Sequence, residues 1–197
     1  MRNLFRLFIL IAISFSFSNK VFSISPDIFI QNTVDNASKV LSLNISKDQK
    51  INKLKTIAKE TVDIKGVGLY SLGSKRKTLN KTQLKNYSDL FEKYFLKSFS
   101  SRLAEYTNPQ IEVKDKEILN KNYTMVNSIL VGTTERPEVK IDWRVYTKDQ
   151  NNPLVRDLII EGLSLARTQK EEFASILNSN DDDIEALFKT LKEFSKK

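Results

Sequence analysis

The chain has 197 residues, 40% of them hydrophobic and 28% charged, with a formal net charge of +8 at neutral pH. That length suits one domain plus a processed end. Histidine and cysteine are both absent, which excludes Ser-His-Asp and Cys-His nucleophile systems, the usual zinc sites and any disulfide, so the fold must rest on an apolar core.

Residues 1–23 read as a secretory signal peptide. Arg2 and Arg6 give a positive start, Leu7–Phe17 is almost wholly apolar, and Val21-Phe22-Ser23 offers a small residue for cleavage after Ser23. The apolar run is short for a membrane span, and no cysteine follows it to carry a lipid anchor. Cleavage removes Arg2, Arg6 and Lys20 and so lowers the charge by three, to +5, on an expected domain over 24–197. This charge is spread along the chain as a lysine-rich solvated surface. With an export signal it argues against nucleic acid; an anionic lipid surface or an acidic partner would suit it.

Pro26 opens a first helix over Asp27–Leu43, where proline fits the first turn. Ser46 and Gln49 form a capping-box pattern for a second helix reaching Val62. Its apolar positions Ile51, Leu54, Ile57 and Ala58 lie on one helical face. A short helix from Lys65 to Leu72 ends at Gly73, and Ser74–Asn80 is a basic, polar turn. Asn80 with Gln83 repeats the capping pattern before a long helix over Lys81–Tyr106. Leu84, Tyr87, Phe91, Phe95, Phe99 and Leu103 recur there at spacings of three or four, flanked by Tyr94 and Tyr106.

After Asn108-Pro109 the period changes from helical to two. Ile111 and Val113 begin a strand, and Tyr123–Gly132 is the next. In Val139–Lys148 the alternation sets Ile141, Trp143 and Val145 on one side and Asp142, Arg144 and Tyr146 on the other. A turn at Asp149–Pro153 leads to a fourth strand over Leu154–Leu163. Short polar connections imply an antiparallel meander. Helices over Leu165–Leu177 and Asp182–Phe194 close the chain, with Asp181, Asp182 and Asp183 suited to the positive start of the last. Helices, then a sheet, then helices define an α+β layer.

Little here points to catalysis. Five glycines include no phosphate-binding loop. Carboxylate acid–base work remains open, with Asp157 and Glu161 as its best candidates. The simpler reading is structural: Glu161 pairs with a base or bonds the turn at Gly162, and Ser164 caps the next helix. Asp142 points away from the Trp143 face, against an enzyme with a carboxylate inside an apolar pocket. Lys75-Arg76-Lys77 is either a solvated turn or a docking patch. No cofactor or metal is expected.

The segment Asp157–Phe173, DLIIEGLSLARTQKEEF, resembles the D-[VI]-x-[VI]-E-G-[VI]-S-L stretch of the MlaC family of periplasmic phospholipid-binding proteins, also described as toluene-tolerance proteins. Upstream, Asp63-Ile64, Leu72-Gly73 and Thr82-Gln83 resemble the family's D-[IV], L-G and S-x-x-Q sequence before a long aromatic helix. The resemblance covers Pro26 to Lys197, carried by order and spacing rather than by chemical motifs. Departures occur at Pro153, where the family has Trp, and at Gln169-Lys170, where it has Tyr-Arg.

The resemblance implies a curved antiparallel sheet of about four to five strands, with N-terminal helices and the long aromatic helix packed on it and C-terminal helices closing it. It implies a monomeric, non-enzymatic carrier with phospholipid tails held between sheet and helices, headgroups near water at the mouth and weak headgroup selectivity. Val67, Leu72, Tyr87, Phe91, Phe95, Phe99 and Leu103 are the expected lipid contacts on the helices. Val126, Ile141, Trp143, Val145, Ile159 and Leu163 are those on the strands. Taken alone, such residues are an ordinary core; the step to a pocket comes from the family. The implied partners are an outer-membrane lipoprotein complex and an inner-membrane ABC transporter with its substrate-binding ring. A hopanoid-type ligand, a small cone-like enzyme and a ligand-free adaptor are the alternatives.

Overall fold

Helices begin where the sequence supplies caps. α1 (Pro26–Ser42) opens on Pro26, whose fixed φ and missing N–H suit a first turn. α2 (Lys47–Thr61) starts with a full capping box: the Ser46 side chain accepts the Gln49 N–H, and the Gln49 side chain accepts the Ser46 N–H. Asp63 caps α3 (Ile64–Ser71), and Gly73 at φ +60 follows, opening a 3₁₀ turn at Gly73–Lys77. Asn80 and Gln83 repeat the capping box at the head of α4 (Lys81–Leu103). This computed structural model describes residues 24–134 and 136–196, so the expected signal segment lies outside the described residues.

α4 stops at Leu103 rather than Tyr106. Pro109 cannot extend a helix, and Asn108 before it sits at φ +49. Among the described residues, five strands then form an open antiparallel meander: β1 (Ile111–Asn120), β2 (Tyr123–Leu130), β3 (Val139–Tyr146), β4 (Leu154–Ile160) and β5 (Leu163–Ser164), in that order across the sheet. α5 (Leu165–Asn178) and α6 (Ile184–Lys196) complete the chain.

The sheet corrects two expectations. The fourth strand does not run through to Leu163. Glu161 and Gly162 both take positive φ, +48° and +82°, making a two-residue turn that pairs Ile160 with Leu163 on the return. Leu163 is therefore exposed. The second correction is a bulge at Arg156. Arg144 pairs with Asp157 but Val145 with Val155, so Arg156 is extra. The extra residue reverses the alternation beyond it. Leu158 now shares a face with Trp143, while Ile159 pairs with Asp142 on the opposite face.

Two apolar cores result. One packs α3, α4, α5 and α6 around Tyr87, Phe91, Phe173, Leu187, Phe188 and Leu191. The other sets Ile30 and Val34 of α1 against Val126, Ile141, Trp143, Val145 and Val155 of the sheet. Each such large side chain contributes about 1.5–3 kcal/mol on burial. The Trp143 indole N–H donates to Ser128 Oγ at 2.8 Å, and Ser128 Oγ donates to the Ile141 carbonyl at 2.9 Å, so no polar atom of that pair is stranded. Gln31 of α1 also covers the start of the β1 edge. Its amide donates to the Ile111 carbonyl and accepts the Val113 N–H.

Gly68 lets α3 approach α4. A Cβ there would lie 2.7 Å from Phe91 Cδ1, inside contact distance. The Tyr87 hydroxyl also donates to the Gly68 carbonyl at 2.8 Å. Gly68→Ala is expected to lower stability by about 1–3 kcal/mol through overpacking, read as a shift in the urea midpoint. An unchanged midpoint would show that α3 and α4 can part without cost.

Candidate functional site

The α4 aromatics form a ladder. Tyr87 and Phe91 stack at 5.8 Å between ring centroids, Phe91 and Phe95 at 6.1 Å, and Phe95 and Phe99 at 5.5 Å. One turn separates successive rungs, so each ring lies on the next. Phe173 of α5 meets Phe91 edge-on at 6.1 Å and closes the inner end. Burial falls along the ladder: Tyr87 and Phe91 are 1% exposed, while Phe95 and Phe99 are half-buried. The outer rungs face a cleft between α4 and β4.

That cleft holds a cavity of about 170 Å³. Phe91, Phe95 and Phe99 line it from α4, beside a second row one step round the helix, Tyr94, Ser98 and Arg102. Val62 and Val67 close it from the α2–α3 side, and Val155 and Leu158 from β4. From α5 come Leu165, Ala166, Thr168, Gln169 and Glu172. The walls are mainly apolar, with polar groups at intervals on the helices, as in small-molecule sites generally. Its volume is below the roughly 300–1,000 Å³ common for such sites, so a large ligand requires the walls to part.

One wall is fixed. The α2–α3 junction is pinned to β4 by the Asp63 N–H on the Val155 carbonyl and by Arg156 on the Asp63 carboxylate at 2.6 and 2.7 Å. Arg156 also donates to the Tyr123 hydroxyl at 2.6 Å and lies over the Tyr146 ring at 3.7 Å. Across the cleft the ties are lighter. The Tyr94 hydroxyl donates to Gln169 Oε1 at 2.8 Å, and the Tyr94 ring meets Phe173 and Phe194. Burial, then the nearby Glu172 charge, push the Tyr94 phenol above its usual pKa, so it remains a donor at neutral pH.

Of the expected lipid contacts, Val67, Phe91, Phe95 and Phe99 come together in the cleft. Leu72 and Tyr87 lie behind it in the helical core. Val126, Ile141, Trp143 and Val145 are buried under α1 instead. Leu103 is half-buried beyond Arg102, Ile159 is on the far face of β4, and Leu163 is exposed on β5. The α5 wall went unread in the sequence, although Leu165, Thr168, Gln169 and Glu172 recur at helical spacing after the Ser164 cap.

Polar candidates have structural partners. Asp157 is buried and accepts the Ser164 hydroxyl and the Ala166 N–H at the start of α5. Glu161 accepts the Lys140 N–H beside its turn, and Ser164 caps α5 through the Arg167 N–H. In the basic run, Lys75 donates to the Asp182 carbonyl in the α5–α6 connection and Arg76 to the Leu69 carbonyl in the last turn of α3.

Fold and cleft together define an α+β protein with an aromatic-floored apolar site between one long helix and a sheet edge. The MlaC protein family model matches residues 31–193. The chain belongs to that family. A solved structure of a phospholipid-binding protein from Ralstonia solanacearum, in complex with a phospholipid, shares the fold at a TM-score of 0.73. It is 20% identical and the match covers 88% of this chain and 98% of that one. Comparison with curated proteins returns no significant match.

Proposed function

We propose that this protein is a periplasmic phospholipid carrier. It holds acyl chains in the α4–β4 cleft and moves lipid between an outer-membrane lipoprotein complex and an inner-membrane ABC transporter with its substrate-binding ring, so maintaining outer-membrane asymmetry. The observation that carries this reading is the ladder whose rungs pass from full burial at Phe91 to half-burial at Phe95 and Phe99 over a cavity. Family membership and the phospholipid held by the Ralstonia protein support it.

The physical need is large. Exposing acyl chains to water costs about 0.8 kcal/mol per CH₂, so a lipid with about 30 methylenes faces a gross cost of roughly 20–25 kcal/mol. An apolar cleft removes most of that cost. Transfer from bilayer to protein is then near thermoneutral, and the partners set its direction. The work is binding and release, with no bond made or broken.

Native mass spectrometry of protein purified without detergent, with extracted lipids identified in parallel, tests this. A one-to-one phospholipid adduct is expected. A hopanoid-type adduct would redirect the reading to another lipid. Bare protein that also takes nothing from vesicles would leave an adaptor.

A further inference from the structure

We propose that the rim of the cleft is a headgroup subsite for a zwitterionic phospholipid, in which Arg102 takes the phosphate and Glu172 the ammonium. This rests on the carrier reading above. Arg102 on α4 and Glu172 on α5 line the same cleft from two different helices. Both are exposed, and neither makes an ion pair within 4.0 Å among the described residues. Both charges reach the Tyr94 phenol, with opposite effect, which places them around one point of the rim.

Glu172 is also held in place. The Tyr94 hydroxyl donates to Gln169 Oε1 at 2.8 Å, and Gln169 Nε2 donates to Glu172 Oε2 at 2.9 Å. This relay orients the carboxylate at the rim while leaving its second oxygen for a cation. Phe95, Phe99, Leu158 and Leu165 line the same cleft. A ligand matching the whole surface has an apolar tail and a head of both signs. A purely anionic head would use Arg102 but leave Glu172 without a counter-charge, and a bare alkyl chain would use neither charge.

Exposed ion pairs are weak and screened by salt, so a bias of about two- to fivefold is expected rather than strict selection. The protein is equilibrated with vesicles of equimolar phosphatidylethanolamine and phosphatidylglycerol, and native mass spectrometry reads occupancy and headgroup ratio separately. The bound ratio should favour ethanolamine by that factor at low salt and approach the vesicle ratio at high salt. Glu172→Gln should abolish the bias and Glu172→Lys should invert it, whereas Glu193→Gln on α6 should keep it. Arg102→Gln should shorten retention of both lipids. A loaded wild-type protein with the vesicle ratio, or a bias unchanged in Glu172→Lys, would overturn the subsite while leaving the carrier intact. Absence of any load would overturn both.

Discussion

Phe95→Asp is expected to yield a folded protein that holds almost no lipid. Phe95 is half-buried between Phe91 and Phe99 in the ladder, and it faces the cavity. In the unloaded protein an aspartate there can reach water. Acyl chains packed over it would strip that water away. Desolvating a group with no compensating partner costs about 2–3 kcal/mol or more, which corresponds to a loss in affinity of about 30- to 150-fold. Lipid occupancy after equilibration with vesicles is the measurement, with circular dichroism on the same sample. Phe95→Leu keeps an apolar wall and should stay loaded. Phe91→Asp is a different case: Phe91 is 1% exposed and packs on Phe173, so that variant should fail to fold. A folded Phe95→Asp protein with a full lipid load would remove the cleft from consideration.

The contrast between Phe91 and Phe95 marks what a sequence can and cannot disclose. Helical spacing places both on one stripe, and capping signals at Asn80 and Gln83 set where that helix begins. Both follow from local geometry. Whether a ring ends in a core or beside a cavity depends on what covers it, and Phe173 covers Phe91 but not Phe95. That cover comes from a helix far along the chain. The same holds for the sheet. Alternation in Val139–Tyr146 correctly puts Ile141, Trp143 and Val145 on one face. No local signal says that α1 takes that face, with Ile30 and Val34, so that those residues serve the core and not the cleft.

Local signals failed in β4 for a specific reason. Leu154–Leu163 reads as one strand, yet it contains an extra residue at Arg156 and a reversal at Glu161-Gly162. The bulge is held by long-range partners: Asp63 from the α2–α3 junction, and Tyr123 and Tyr146 from β2 and β3. The reversal is encoded more weakly. Gly162 suits its positive φ, but Glu161 is an uncommon residue for the left-handed region, and its side chain accepts the Lys140 N–H from the neighbouring strand. The bulge moves Ile159 off the face where unbroken alternation puts it, and the reversal carries Leu163 onto the short edge strand β5, where it is exposed. They also bring the start of α5 back over β4, which creates one wall of the cleft.

Asp157→Ala is expected to destabilise the protein more than any exposed substitution near the cleft. The Asp157 side chain is 3% exposed and its two oxygens are both used. One accepts the Ser164 hydroxyl at 2.7 Å, and the other the Ala166 N–H at 3.0 Å. The negative charge also faces the positive end of α5. Alanine would leave a buried N–H and a hydroxyl without an acceptor and free the return segment from β4. Breaking a buried charged network from one side costs about 3–5 kcal/mol, read from urea unfolding as a lower midpoint at unchanged slope. Asp157→Asn retains one acceptor oxygen and should cost about 1–3 kcal/mol. Arg144 contributes less: its guanidinium is 3.8 Å from Asp157 and its side chain 41% exposed. A double-mutant cycle between Arg144→Met and Asp157→Ala should therefore give a coupling below about 1 kcal/mol. If Asp157→Ala were as stable as wild type, the carboxylate would not be what holds α5 to β4. A coupling as large as the Asp157→Ala loss itself would instead make the Arg144 ion pair, and not the α5 start, the reason this carboxylate is buried.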